Sequence, residues 1–366
     1  MVLDRLVPGI DKYAIDTPAL LLDLKLLEHN IRTMARFISG TKTYLRPHVK
    51  GHRTPMIAHK QMEAGAKGIT CAKVSEAEVM VESGIKNVFV ANQVVGENKI
   101  VRLIRLAETS EVSVAVDNLE NARCISEATL AKGMKIDVLV EIDVGTHRCG
   151  LTAGKPVVVF AKELEKYRGL KMKGLMAYEG FASSILDFKE REEVCKRALS
   201  RIIETKDMLK DAGISVETVS AGTTGTYRIC ANYPGITEIR AGSYALSSAK
   251  HKAISPEFEI AFTLLSTVIS RPSQDRAVID AGRNAISYDQ GLPLVKGLEG
   301  IKLVSLYDEH GILEIENSGV KLEVGDKIEL VPTHPCTTVA LHDKMFCVKE
   351  DILEDVWDIK ARGKFF

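Results

Sequence analysis

An excess of charge of either sign is missing from this chain. Its 366 residues carry 49 Lys+Arg and 49 Asp+Glu, a formal net charge of zero. That balance argues against nucleic acid or an anionic membrane as the main partner. Aromatic residues are sparse at 5%, with a single tryptophan. No apolar run approaches the roughly eighteen residues that a membrane-spanning helix requires. The opening Met1-Val2-Leu3-Asp4-Arg5 lacks a secretory-signal pattern. The seven cysteines are scattered without a paired framework, so reduced thiols in a cytoplasmic protein are expected. Repeats, low-complexity tracts and Gly/Ser-rich linkers are also lacking. What is present is 45% hydrophobic residues, enough for one large domain and a smaller one.

Short β-rich apolar runs alternate with helical patterns up to about residue 245. The strand signals fall at 19–23, 43–46, 68–71, 87–91, 112–116, 137–142, 170–176, 216–220 and 238–240. Between them apolar residues recur at helical spacing, as in Leu26, Leu27, Ile31, Met34 and Ala35. This alternation predicts an α/β fold, a closed (β/α)8 TIM-type barrel over 15–250 with one strand left over. An open doubly wound sheet is the alternative, but no GxGxxG follows the first strand. After residue 250 helical periodicity fades. Strand signals at 262–270, 276–280, 301–306, 312–316, 327–331 and 343–348 are separated by glycine turns. They predict a C-terminal antiparallel β domain over 251–366, joined by residues 1–14.

Four segments stand out chemically. In Tyr44-Leu45-Arg46-Pro47-His48-Val49-Lys50-Gly51-His52, Pro47 cannot donate to a ladder and ends the strand. Lys50, with His48 beside it, then lies at the carboxyl end of a barrel strand, where active sites are built. A partly desolvated lysine there can form a Schiff base; a solvated loop lysine is the competing reading. In Thr333-His334-Pro335-Cys336, residues two apart on an extended chain share a face. His334 and Cys336 can then hold one divalent ion, Zn2+ by ligand softness, with Mn2+ or Mg2+ as alternatives. An incidental histidine near a buried cysteine is the plainer account. His342-Asp343 offers a further ligand.

The third segment, Ser220-Ala221-Gly222-Thr223-Thr224-Gly225-Thr226, follows a late strand. Its exposed backbone N–H groups suit a phosphate. Arg240-Ala241-Gly242-Ser243-Tyr244 follows the next strand and can complete the cradle. The fourth set puts Arg148 and Tyr178 past two middle strands, where an aromatic face can stack on a planar ring. Singly, each reads as a turn, a surface ion pair or packing. Together, a Schiff-base lysine, a phosphate cradle, a stacking aromatic and nearby arginines meet the requirements of pyridoxal 5'-phosphate.

On these motifs the sequence resembles the fold type III pyridoxal-phosphate enzymes, specifically the D-threonine aldolase / D-serine dehydratase family with its alanine racemase-like barrel. The resemblance also takes in Thr17-Pro18-Ala19-Leu20-Leu21-Leu22-Asp23, Ala72-Lys73-Val74-Ser75-Glu76-Ala77-Glu78, Asp143-Val144-Gly145 and Ala177-Tyr178-Glu179-Gly180. It implies that Lys50 forms the internal aldimine and then moves protons at Cα. Tyr178 would stack on the ring and Arg148 approach its phenolic oxygen. Gly222, Thr223, Gly242 and Ser243 would hold the phosphate, with His48, Thr224 and Tyr244 completing the cofactor contacts. Arg240 matches the position facing the pyridine nitrogen, and His334 and Cys336 would bind the metal. Gly51-His52-Arg53 departs from the more usual Thr-His-Lys.

The implied function is a lyase acting on D-3-hydroxyamino acids. Two outcomes are open: dehydration to a 2-oxo acid and ammonia, or aldol cleavage to glycine and an aldehyde. The dehydratase branch usually carries His-x-Cys and the threonine aldolase branch His-x-Asp, so Cys336 points to dehydration of a D-serine- or D-threonine-type substrate. The alternative is a D-threonine or 3-hydroxy-D-aspartate aldolase. A racemase would need a base on the opposite ring face and has no use for His334 and Cys336. A non-catalytic pyridoxal-phosphate carrier typically lacks the β domain. The family is usually homodimeric.

Overall fold

The computed structural model describes residues 8–316, 319 and 321–366. Of the N-terminal segment assigned above to the β domain, residues 1–7 lie outside that set. The chain divides into two compact units. One comprises residues 34–50, Ile57–Gly242 and Gly363–Phe366; the other holds residues 8–33, Gly51–Met56 and Ser243–Arg362.

The first strand, β1 (Ala19–Asp23), is the one left over from the barrel count. The barrel itself is made by β2 (Tyr44–Leu45), β3 (Ile69–Cys71), β4 (Asn87–Gln93), β5 (Glu111–Val116), β6 (Ile136–Asp143), β8 (Leu170–Ala177), β9 (Thr218–Ala221) and β10 (Glu238–Ile239). A two-residue strand, β7 (Leu151–Thr152), pairs with β6 at its side. The order β2-β10-β9-β8-β6-β5-β4-β3 is parallel throughout, and a parallel bridge between His48 and Thr70 joins its two ends. Phe89, Ala115, Leu139 and Met176 from four successive strands form a shared apolar cluster, the packed interior expected of such a barrel.

Helices α1 (Leu24–Ser39), α2 (Pro55–Glu63), α3 (Val74–Glu82), α4 (Glu97–Ala107), α5 (Leu119–Leu130), α6 (Lys155–Leu164), α7 (Phe188–Asp211) and α8 (Tyr227–Ala231) provide the crossovers. Their starts are legible locally. Asn118 caps α5 by accepting from Asn121 N, and Asp187 caps α7 by accepting from Glu190 N. No helix among the described residues is long and apolar enough to cross a membrane.

The other unit opens with the short helix α9 (Ala249–Ile254). Strands β11 (Phe262–Ser273), β12 (Arg276–Ile279), β13 (Leu294–Val295), β14 (Ile301–Leu306), β15 (Gly311–Ile315), β16 (Lys327–Val331), β17 (Lys344–Lys349) and β18 (Ile352–Asp358) follow, with α10 (Pro335–Val339) before β17. The main path runs β14-β15-β12-β11-β1-β17-β18, with β16 paired to β11 and β13. β1 lies antiparallel to β11 and parallel to β17. Its burial pattern, apolar from Ala19 to Leu22 without alternation, is that of a strand covered on both faces. The sequence pattern omitted β13 and β18. It also treated residues 334–336 as extended where the chain turns into a helix, because Pro335 is favoured at a helix start.

Within this unit the buried Glu329 carboxylate accepts from Lys12 Nζ at 2.6 Å, Lys296 Nζ at 2.7 Å and Thr263 Oγ1 at 2.7 Å. Burial alone would push Glu329 up. The donors outweigh it and hold the carboxyl below its ordinary value of 4.5. A depressed carboxyl stabilises the fold above the unfolded pKa, and that contribution is lost as pH falls through the folded one. Acid unfolding monitored by circular dichroism should therefore show a component beginning below about pH 4.5 that Glu329→Gln abolishes. At neutral pH the same variant should be roughly 2 kcal/mol less stable to denaturant. That is less than the usual cost of orphaning a buried charge, since Asp351 remains 2.5 Å from Lys12.

Candidate active site

On the barrel unit, Lys50 occupies a 3-10 turn, Val49–Gly51, just past β2. Its backbone N–H points to His48 Nδ1 at 3.4 Å. Its half-buried side chain reaches to 5.8 Å from the centroid of the Tyr178 ring, and the Arg148 guanidinium lies 5.1 Å from the same centroid. Three residues spread over more than a hundred positions of sequence thus meet at the carboxyl ends of β2, β6 and β8. Glu141, at the end of β6, lies 4.0 Å from Arg148. Burial pushes its carboxyl up, against the pull of Gln93, Arg240 and Arg148.

Tyr178 is seated by its neighbours in sequence. A Cβ on Gly180 would lie 2.2 Å from the Tyr178 ring carbons, so only glycine leaves the ring where it is. Glu179, fully buried, turns the other way. It accepts from Thr226 Oγ1 at 2.6 Å, Gly222 N at 3.2 Å and Cys230 Sγ at 3.6 Å. The loop expected to hold phosphate is therefore braced from behind. The Gly222 N–H faces this carboxylate rather than the cradle, and Thr223 N bonds Thr226 Oγ1 at 2.9 Å. In the sequence Glu179 stands only as part of the motif at 177–180, and its place directly after Tyr178 is the available signal.

Glu179, Cys195 and Cys230 bring three ligand-type atoms within 4.8 Å of one another. The thiol of Cys230 is pushed well up by burial and donates to Glu179, and the two sulfurs sit 3.7 Å apart. Both sulfurs lie in a buried, hydrogen-bonded core. The Arg240 guanidinium is likewise buried, bonded to Ser220 Oγ at 2.9 Å and to the carbonyls of Ser220 and Ala177 at 3.2 and 2.5 Å. Burial lowers its pKa, while Glu238, Glu179 and Glu141 counter that.

The second half of the cradle shows a close approach. A Cβ on Gly242 would lie 2.1 Å from the His48 carbonyl oxygen, so this backbone packs against the segment that carries Lys50. Gly242→Ala should lower cofactor affinity at least about tenfold, equivalent to 1.4 kcal/mol, measured by equilibrium dialysis. Wild-type affinity in that variant would show that the approach is not required. Ser243 is half-buried at the cradle's end. Tyr244 is fully buried, its ring 5.5 Å from that of Phe258.

On the other unit, His334 is the residue capping α10, and Cys336 lies in its first turn. The two side chains are in hydrogen-bond contact. They do converge, but through the turn into a helix rather than along an extended strand. His334 Nδ1 is 2.7 Å from Asp289 Oδ2. Burial lowers the pKa of His334, and its contacts with Cys336 and Asp289 reverse that and raise it. His251, on α9, accepts at or donates through Nδ1 to Ser248 Oγ at 2.8 Å. Burial, with His334 and Lys250 adding to it, brings it down to about 4, so its ring is neutral at pH 7. His342 has its Nε2 on the carbonyl of Ala285 at 2.7 Å, and Asp343 pairs with Arg362 at 3.0 Å. The sequence reading missed both Asp289 and His251. Neither lies in a motif, and Asp289 is 45 residues from its partner.

The family model "Alanine racemase, N-terminal domain" matches residues 22–248, and "Putative serine dehydratase domain" matches residues 261–348. The chain belongs to the fold type III pyridoxal-phosphate enzymes. Within them it is a lyase of the D-threonine aldolase / D-serine dehydratase family. It is 38% identical to a 3-hydroxy-D-aspartate aldolase of Paracoccus denitrificans over 98% of this chain and 95% of that one. It is 25% identical to a D-threo-3-hydroxyaspartate dehydratase of a Delftia species, over 94% and 97%. A D-threonine aldolase structure from Filomicrobium marinum superposes with a TM-score of 0.96 at 38% identity, covering 98% of this chain and 99% of that one.

The barrel residues fit the cofactor of this family. A lysine amine and an arginine flank one aromatic ring, and glycine at 242 lets the backbone approach the segment that carries Lys50. The donor set of His334 and Cys336 suits a divalent ion of intermediate softness.

Proposed function

We propose that the enzyme cleaves the Cα–Cβ bond of D-3-hydroxyamino acids, releasing glycine and an aldehyde, with pyridoxal phosphate and a divalent ion. The observation that carries this reading is the 38% identity to aldolases over 98% of the chain, against 25% to the dehydratase. When bound, pyridoxal phosphate supplies an electron sink for charge developing at Cα, and the ion a Lewis acid for the substrate hydroxyl.

The chain's own groups supply the rest. Lys50 Nζ is the amine that the described residues place beside the Tyr178 face. It anchors the cofactor and then delivers the proton that completes glycine at Cα. Tyr178, held by Gly180, gives a flat wall that keeps the reacting ring from tilting. Arg148 offers fixed positive charge beside that wall. Thr224, Gly242 and Ser243 would hold the phosphate, Gly222 and Thr223 would shape the loop behind it, Tyr244 would pack beneath, and His48 would support the lysine turn. Arg240, a permanent cation, would face the pyridine nitrogen and keep it unprotonated. His334 and Cys336 would hold the ion, Zn2+ by ligand softness with Mn2+ or Mg2+ as alternatives.

A specific residue favours a second reading. Cys336 stands where the aldolase-type motif has a carboxylate, and the serine dehydratase domain match spans it. Dehydration would need Lys50 to remove the Cα proton instead, with the hydroxyl leaving. Incubating the loaded enzyme with D-threonine decides between them. Glycine and acetaldehyde support the proposal, and 2-oxobutanoate with ammonia overturns it in favour of dehydration. L-Allothreonine would indicate epimerisation at Cα, and unchanged substrate would leave neither lyase reading standing. A homodimer belongs to this reading by family likeness.

A further inference from the structure

Asp289 lies in the loop after β12, outside every motif noted above, yet it is tied to His334 from several directions. Its Oδ2 accepts from His334 Nδ1 at 2.7 Å. Its Oδ1 accepts from Ser287 Oγ at 2.6 Å and Thr337 Oγ1 at 3.1 Å. Two more bonds tie the loop to the same segment. Thr333 Oγ1 donates to the Gly291 carbonyl at 2.8 Å, and Ser287 N donates to Thr338 Oγ1 at 3.3 Å. The carboxylate is therefore held in place before it meets the imidazole. Once Nδ1–H is committed to it, Nε2 is the nitrogen left with a lone pair, and the His334 ring is in contact with Cys336.

We propose that Asp289 is a positioning residue that fixes the tautomer and rotation of His334, so that Nε2 and Cys336 Sγ present themselves to one divalent ion. This inference rests on the metal reading above. Asp289 is no ligand in this account. Its oxygens serve His334, Ser287 and Thr337, and it belongs to no three-residue ligand cluster found among the described residues. Carboxylate partners of ligand histidines typically contribute roughly 10–100-fold to metal affinity.

The test uses the full chain loaded with pyridoxal phosphate and freed of metal by chelation. Zn2+ affinity is measured by chelator competition, and Co2+ binding by its thiolate charge-transfer absorption. Asp289→Ala should weaken Zn2+ binding roughly 10–100-fold while the Co2+ form still shows the thiolate band. Asp289→Asn keeps an acceptor for Nδ1–H and should recover most of the affinity. Unchanged affinity in Asp289→Ala, with His334→Ala weakened, would overturn the positioning role alone. A loss in Asp289→Ala as complete as that in Cys336→Ala would overturn it differently, by making Asp289 a ligand. If wild type and His334→Ala bind Zn2+ equally, the metal reading itself falls. Should Asp289→Ala fail to fold by circular dichroism, Thr337→Val combined with Ser287→Ala decides. That pair frees the carboxylate without removing it and should weaken binding several-fold; no change would count against the inference.

Discussion

Lys50→Ala and Lys50→Arg should both lower turnover by at least about a thousandfold, because each removes the amine proposed to anchor the cofactor and move the proton. The arginine variant is the sharper of the two. It keeps positive charge near the Tyr178 ring, where Lys50 Nζ now sits 5.8 Å from the centroid, but a guanidinium is neither a nucleophile nor a proton carrier at neutral pH. If Lys50 contributed only electrostatics, Lys50→Arg would retain much of the activity. Borohydride treatment followed by peptide mass analysis gives an independent readout. The wild-type chain should carry reduced cofactor on the Lys50 peptide and neither variant should. Activity above a tenth of wild type in Lys50→Arg would sink the assignment. The alanine variant should still bind cofactor non-covalently, since Gly222 and Gly242 shape the cradle independently of the lysine.

Chelation should remove nearly all activity, and added Zn2+ or Mn2+ should restore it. His334→Ala should reproduce the chelated state at ordinary metal concentrations, with turnover down about a hundredfold or more. Cys336→Asp addresses the choice of metal and of outcome. Replacing thiolate by carboxylate hardens the ligand set, so the order of activating metals should move toward Mn2+ and Mg2+. The ratio of aldol cleavage to dehydration should be measured in the same preparation. Full activity after exhaustive chelation, with metal absence verified by mass spectrometry, would refute a role for the pair. An unchanged metal order in Cys336→Asp would show that the sulfur is not a ligand. His251 offers a control here: its neutral ring is bonded to Ser248 and lies on a different helix, so His251→Gln should leave the Co2+–thiolate absorption in place.

Much of the barrel was legible because its signals are local. Each of the eight strands along the main parallel path falls within a few residues of an apolar run visible in the sequence, and six of the eight turns after them carry glycine or proline. Lys50, Gly222 and Gly242 stood out for the same reason, since strand-end position is set by the few residues before it. β1 was different. Its run of leucines reads equally as a barrel strand, and only its pairing with β11 and β17 places it in the other sheet. The His334–Cys336 pair was found through a period-two argument, yet the chain at that point turns into α10 with Pro335 at its start. The residue types carried the inference, and the backbone geometry behind it was different.

By itself, the sequence determined the alternation of elements, the change of character near residue 250, and a set of residue types that suits one cofactor and one class of metal. These depend on propensity, periodicity and side-chain chemistry, which act over a few residues. Tertiary structure alone decided which groups stand behind them. Glu179 bracing the loop at Gly222 and Asp289 holding His334 across 45 residues are contacts between segments that no short window contains. Such partners are selected by where the packed backbone places them, so they leave no periodic trace along the chain.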